Sequence, residues 1–121
     1  MEFGRPYDKA GRPQLAITLQ HRIDAVVLTL VGEIDIATVA EMRATVDLIV
    51  TNTAVTAIHI DAVQVIFADS AGLRSLMQAR QAAVAHGLQF TLRTQPGGQV
   101  ERVIEMSGLD GTLTNYIPAH T

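Results

Sequence analysis

The segment Phe67-Ala68-Asp69-Ser70-Ala71-Gly72-Leu73-Arg74-Ser75-Leu76-Met77 lies between two contrasting patterns. An apolar run over residues 57–63 precedes it and is typical of a strand, whereas apolar residues recur at helical spacing after it. Asp69 and Ser70 therefore fall at a strand-to-helix junction. We expect Ser70 to be the helix N-cap, because its hydroxyl is able to accept a hydrogen bond from the first turn.

This junction tolerates negative charge. The free backbone N–H groups of a helix N-terminus and the helix dipole both attract an anion. Gly72, inside the first turn, lets another surface approach closely. The sequence therefore predicts that Ser70 is able to carry a phosphate without unfolding the chain. On spacing alone, plain helix capping is the simpler explanation of Asp69 and Ser70.

Two strands, a helix and a third strand are predicted before the junction. Period-two alternation over residues 15–19 and an apolar run over residues 25–31 predict an antiparallel pair. The helix that follows has Thr38 as its N-cap, because Thr38 and Glu41 stand in the spacing of a capping box. A strand at about residues 56–61 then leads to the junction. The apolar stripe of this first helix is Val39, Met42, Val46, Ile49 and Val50.

Three further elements follow the helix that starts at Ser70. Gly87 followed by Leu88 ends that helix, and residues 89–93 alternate as a strand. A short helix and a last short strand within residues 112–117 complete the order β-β-α-β-α-β-α-β. This order predicts an α/β fold with a mixed, mostly parallel sheet, an N-terminal β-hairpin and flanking helices. The residues expected to be buried are Leu73, Leu76, Met77, Ala83 and Val84 in the second helix and Val100, Val103, Ile104 and Met106 in the third.

The composition fits one small domain. The chain has 121 residues, 48% of them hydrophobic, and we expect a flexible tail over residues 1–13 and a single domain over residues 14–121. The net charge is -3 and Lys9 is the only lysine, so neither nucleic acid nor a membrane surface is an expected partner. The chain has no cysteine and no apolar run near the ~18 residues of a membrane span. We therefore expect a soluble, cytoplasmic protein.

No motif for catalysis is complete. The nucleophile elbow of hydrolases needs glycine two residues before its serine, and Ala68 stands there. The four histidines are dispersed, and the chain lacks the phosphate-binding loop frame. Glu33 and Asp35 follow a strand and share the sheet edge with Asp69 and Ser70, but we interpret them as a solvated loop rather than an acid–base pair. We expect no enzyme activity, no catalytic residue, no bound cofactor and no metal.

Two segments resemble the STAS domain, and more closely the single-domain anti-sigma factor antagonists of bacteria. They are residues 67–73, Phe-Ala-Asp-Ser-Ala-Gly-Leu, and residues 32–35, Gly-Glu-Ile-Asp. The resemblance extends from about Leu15 to Leu109. It implies that Ser70 is the phosphate acceptor of an anti-sigma factor that is also a serine kinase. That partner binds the unmodified antagonist and releases its sigma factor, phosphorylation breaks the complex, and a serine phosphatase restores it, which regulates transcription.

The resemblance also implies a partner-binding surface, and this chain departs from the family pattern at two positions of that surface. Many members have a second serine where this chain has Ala71, and a small residue is often found where it has Arg74. At Arg74 two roles stay open: pairing with a phosphate on Ser70, or shaping the choice of partner. The ATP belongs to the kinase, so no cofactor is implied. The implied partner-binding residues are Gly32, Glu33, Asp35, Asp69, Ser70, Ala71, Gly72 and Arg74.

Two other functions stay open at this point. STAS modules also occur as accessory subunits of membrane transporters or lipid-transport ATPases. Those modules often lack a phosphorylatable serine, so Ser70 favours the antagonist. The third hypothesis is a nucleotide or small ligand bound along the edge from Glu33 to Ser70. Homodimerisation is open as well.

Overall fold

The computed structural model describes residues 2–3, 14–108 and 116–118. Helices and strands alternate along these residues. No helix among them combines the length and apolar character needed to cross a bilayer. The elements are β1 (Glu2–Phe3), β2 (Leu15–His21), β3 (Ala25–Ile34), α1 (Val39–Val50), β4 (Ala57–Ala68), α2 (Ser70–Ala85), β5 (Gln89–Thr94), α3 (Gln99–Ser107) and β6 (Tyr116–Pro118).

The six strands form one sheet in chain order. β2 is antiparallel to both β1 and β3, whereas β3, β4, β5 and β6 are parallel. The predicted α/β fold is therefore confirmed, with its mixed, mostly parallel sheet, its hairpin of β2 and β3, and its flanking helices. In such a sheet the carboxyl ends of the parallel strands share one edge.

The N-terminal strand β1 lies in the segment predicted as a tail, residues 1–13. Glu2 pairs with Thr18 and Phe3 with Ile17. Two residues are too few to show a strand period in the sequence, which is why this strand was not predicted. Residues 4–13 lie outside the described residues, as do residues 109–115, which include the first part of the strand predicted within residues 112–117. The division at residue 13 stays a prediction.

The core lies between one face of the sheet and the helices. Several side chains of the sheet and the helices are at most 1% exposed: Val26, Leu28, Leu30 and Ile34 of β3, Ile58 and Ile60 of β4, and Met42, Leu76 and Ile104 of the helices. The predicted stripe of α1 is confirmed, since four of its residues are buried and Val39 packs against them. Val84 and Met106 are exposed instead of buried, at 55% and 85%. Each residue turns a helix by about 100°, which carries both side chains past the buried faces of α2 and α3.

β3 and β4 both extend further than the sequence predicts. β3 ends at Ile34 rather than near residue 31, and β4 at Ala68 rather than near residue 61. Polar residues such as Asp61 and Gln64 interrupt the apolar pattern of β4. Asp61 is half-buried and Gln64 exposed, so both reach water from within a strand. The two strands therefore lead directly into the segments expected to be functional.

The helix ends confirm one prediction and correct another. Gly87 has φ +76° and the N–H of Leu88 donates to the Ala83 carbonyl at 2.8 Å, which is the predicted glycine stop. Thr38 is the N-cap of α1 as predicted, but the capping box with Glu41 does not form. The Thr38 hydroxyl instead donates to the carbonyl of Glu33 at 2.9 Å and accepts from the N–H of Asp35 at 3.0 Å. Thr38 therefore holds the preceding loop.

Candidate functional site

The site is the edge where β3 and β4 end side by side. Ile34 and Ala68 are register partners at the ends of these two parallel strands. The loop from Glu33 to Thr38 therefore lies next to the Asp69-Ser70 start of α2. The sequence predicted this juxtaposition, because parallel neighbouring strands end at the same edge of a sheet.

Asp69, rather than Ser70, is the N-cap of α2. Its backbone is extended, and its Oδ1 accepts a hydrogen bond from the Gly72 N–H at 2.8 Å. Its Oδ2 accepts from the Ile36 N–H at 3.2 Å, and its own N–H donates to the Ile34 carbonyl at 3.3 Å. The prediction of a Ser70 cap was wrong because Ser70 is already the first helical residue. The carboxylate both caps the helix and fastens the loop to it.

Ser70 is exposed at the start of α2. Its hydroxyl has no hydrogen-bond partner among the described residues, since the capping bond is made by Asp69. Ala71, which follows it, is half-buried. The serine oxygen is therefore accessible to another protein, and a group attached to it displaces no internal bond.

Two buried glycines allow the close packing at this edge. A Cβ on Gly72 would lie 2.0 Å from the carbonyl oxygen of Ile34, so α2 begins in direct contact with the β3 backbone. Gly32 has φ +117°, and a Cβ there would lie 2.0 Å from the carbonyl oxygen of Gln14. Neither position accepts a side chain without a shift of the backbone. Both glycines lie below the exposed surface of this edge and allow its backbone segments to pack in direct contact.

The two acidic residues of the loop differ in their bonding. Asp35 Oδ1 accepts from the N–H groups of Ala37 at 2.9 Å and Thr38 at 3.2 Å, so this carboxylate fixes the loop. Glu33 is half-buried, and its carboxylate has no hydrogen bond or ion pair within the described part of the chain. Glu33 is therefore the acid at this edge whose charge is not committed to a backbone donor.

Arg74 lies one helical turn after Ser70 and is exposed. No carboxylate in residues 14–108 is bonded to its guanidinium. The structure thus brings all the predicted partner-binding residues to one edge, with the glycines beneath and Ser70 and Arg74 on the outside.

Three residues at this edge were missed by the sequence reasoning. The Gln99 side-chain amide accepts from the Ala68 N–H at 2.8 Å and donates to the Ala68 carbonyl at 2.9 Å. It takes the place of a neighbouring strand at the end of β4, and no local sequence signal predicts a bond across 31 residues. Ile36 and Phe67 are 76% and 38% exposed, and both are apolar residues next to predicted site residues. That adjacency was the available signal.

A cavity of about 200 Å³ lies between α1 and α2, but none of the predicted site residues lines it. Its lining includes Met42, Arg43, Ser75 and Gln78. Among the residues that the structure describes, no three histidine, aspartate or glutamate side chains are grouped to hold a metal ion. The cavity therefore lies apart from the edge that holds the exposed Ser70.

The family is defined by a match over most of the chain. Residues 17–115 match the family model described as "Mlab, STAS domain". The chain belongs to this STAS family. The comparison with curated proteins found no match.

Solved structures of anti-sigma factor antagonists are among the most similar. One from Mycobacterium paratuberculosis has a TM-score of 0.71 at 24% identity, over 84% of this chain and 85% of that one. The unphosphorylated anti-sigma factor antagonist SpoIIAA has a TM-score of 0.69 at 26% identity, over 85% and 87%. The phosphorylated form of the same Bacillus protein has a TM-score of 0.65 at 25% identity, over 85% and 90%.

A second kind of protein shares the fold. The murine anion transporter Slc26a9 has a TM-score of 0.67 at 18% identity, over 82% of this chain but 17% of the transporter. At that identity the likeness concerns the fold alone.

Proposed function

We propose that this protein is an anti-sigma factor antagonist that binds a kinase-type anti-sigma factor and is switched off by phosphorylation of Ser70. The observation that carries the proposal is the exposed Ser70 hydroxyl, which has no bond within the described structure and lies at the start of a capped helix. The similarity to SpoIIAA, whose two forms differ in phosphorylation, supports it. The proposed partners place the protein in the cytoplasm.

The proposed switch changes charge while keeping shape. Asp69 and Asp35 hold the helix start and the loop through bonds that do not involve the serine oxygen. Phosphorylation adds about -1.5 to -2 charge at Ser70, at the sheet edge that also carries Glu33. A partner surface that fits a neutral hydroxyl must then desolvate this charge, which costs several kcal/mol when it is left unpaired. Binding is therefore lost without unfolding.

Phosphorylation and dephosphorylation of Ser70 require no cofactor bound to this chain. The Ser70 oxygen attacks the γ-phosphorus of ATP bound to the kinase, the bond to the leaving ADP oxygen breaks, and the hydroxyl proton passes to a base of the kinase. A phosphatase reverses the state by adding water across the phosphate ester, which returns the hydroxyl and inorganic phosphate. This chain is a substrate and a binding partner in both steps.

The test is phosphorylation by kinase-type anti-sigma factors of the same organism, measured as intact mass with ATP and Mg²⁺. We expect one added phosphate on the native chain and none on Ser70→Ala. Ser107→Ala is the matched control, because Ser107 is also exposed but ends α3. It should still gain the phosphate. No added phosphate on the native chain with any of these kinases would overturn the proposal.

An accessory subunit of a membrane transporter or lipid-transport ATPase is the competing proposal. The fold shared with Slc26a9 favours it only at the level of the fold. Its distinguishing result is co-purification of the native chain with a membrane transporter in preference to an anti-sigma factor. An accessible serine at the helix start has no role in that proposal, and this is why we favour the antagonist.

A further inference from the structure

Arg74 is placed to reach the Ser70 oxygen. The two residues are four apart in α2, so they are neighbours on one helix face with a rise of about 6 Å between them. Both are exposed. Side chains in a helix lean toward its N-terminus, so a residue covers the surface over the preceding turn. An arginine at position 74 is therefore able to extend its guanidinium over the turn that begins with Ser70.

Along the chain, Arg74 is the cation nearest to Ser70. Arg74 is the only lysine or arginine in residues 31–79 apart from Arg43 of α1. The Asp69 carboxylate is bonded to the N–H groups of Gly72 and Ile36, and no acid in the described residues is paired with Arg74. The guanidinium is free to bind a new anion.

We propose that Arg74 binds the phosphate of phosphorylated Ser70 in an ion pair across one turn of α2. The inference rests on the proposed function, in which Ser70 is phosphorylated. Arginine suits this role because its planar N–H fork matches two phosphate oxygens. Phosphorylation would then change the docking surface twice, since it adds a dianion and also withdraws a free guanidinium from the partner. The unmodified surface offers a hydroxyl and a cation, and the modified surface offers neither.

The test does not depend on a kinase. Phosphoserine is installed at position 70 during translation, and the phosphorus NMR signal is titrated across the second phosphate ionisation. A nearby cation favours the doubly charged form, so it lowers the pH at the midpoint. Three chains are compared: the native sequence, Arg74→Gln, and the double variant Arg74→Gln with Gln81→Arg. Circular dichroism checks that all three are folded.

The double variant distinguishes the effect of a nearby Arg74 on the titration midpoint from the effect of the net charge of the protein. Gln81 is exposed on the same helix but eleven residues from Ser70, a rise of about 16 Å, which exceeds the screening length of about 8 Å in physiological salt. All other charged groups on the packed helices are the same in the three chains. They are Glu41, Arg43 and Asp47 on α1, and Glu101, Arg102 and Glu105 on α3. Arg80 on α2 and the edge acids Glu33, Asp35 and Asp69 are unchanged as well.

Each pattern of midpoints decides the proposal. We expect the native midpoint at lower pH than that of Arg74→Gln, with the double variant close to Arg74→Gln. Equal midpoints in all three chains would overturn the ion pair. A double variant that matches the native chain would also overturn it, because net charge alone would then explain the shift. A positive result with no kinase-dependent phosphorylation would sink the proposed function while leaving the pairing chemistry intact.

Discussion

The Oδ2 atom of Asp69 accepts a hydrogen bond from the backbone N–H of Ile36 at 3.2 Å, across 33 residues of sequence. The other carboxylate oxygen caps α2 through Gly72 at 2.8 Å. One side chain therefore joins the loop after β3 to the helix after β4. Asp69 therefore makes the structural bonds at this edge, and the neighbouring Ser70 is exposed.

Replacing Asp69 should weaken both the N-cap of α2 and the link between α2 and the loop after β3. Asp69→Asn keeps one acceptor oxygen for Gly72 but turns an NH₂ group toward the Ile36 N–H, whereas Asp69→Ala loses both bonds. We expect a loss of unfolding free energy of about 1 kcal/mol for asparagine and about 2–3 kcal/mol for alanine. Urea denaturation measures both. Faster amide exchange at Ile36 in both variants, but at Gly72 in the alanine variant alone, would locate the two bonds.

Gly72→Ala is predicted to destabilise the protein although it improves helix propensity. In an unhindered helix this change stabilises by about 1 kcal/mol. Here the new Cβ would meet the Ile34 carbonyl oxygen at 2.0 Å, and forcing a backbone apart costs about 1–3 kcal/mol or more. The sign of the change in urea midpoint therefore reports the contact. Gly97→Ala is the comparison, because nothing lies within 4 Å there and only its φ of +69° is unfavourable.

The element order was predictable because it depends on local periodicity. The hairpin of β2 and β3, the stripe of α1 and the glycine stop at Gly87 all follow from residues close in sequence. Which of Asp69 and Ser70 is the N-cap of α2 was not predictable from the sequence. Both residue types are good N-caps, and the answer depends on how far β4 continues.

Hydrogen bonds between residues far apart in the chain were also not predictable from the sequence. The amide of Gln99 supports Ala68 from 31 residues away, and no spacing rule connects them. The exposed positions of Val84 and Met106 depend on where the sheet lies against each helix. Local apolar character does not contain that information.

Gln99 should stabilise the end of β4 through both atoms of its amide. Gln99→Ala removes both bonds to Ala68, and we expect a loss of about 1–2 kcal/mol in urea denaturation. Gln99→Glu retains an acceptor for the Ala68 N–H but places a carboxylate against the Ala68 carbonyl. Faster amide exchange at Ala68 is expected in the alanine variant. Unchanged exchange there would mean that β4 holds its end without α3.

Substitutions at Ser70 should separate partner binding from stability. Ser70→Asp adds a negative charge in the first turn of α2, where the helix dipole favours it by about 0.3–1 kcal/mol, so the thermal midpoint should not fall. Ser70→Asn has nearly the same size without the charge. If an accessible neutral hydroxyl is what the anti-sigma factor binds, calorimetry should give at least about tenfold weaker binding for aspartate than for asparagine, equivalent to about 1.4 kcal/mol. Raising the salt concentration should narrow that difference, because exposed charges are screened. Equal affinities for the two variants at low salt would show that charge at Ser70 does not control docking. The switch would then need a change in the shape of the surface. The hydrogen bonds of Asp69 and Asp35 oppose such a change, because they hold the helix start and the loop in place.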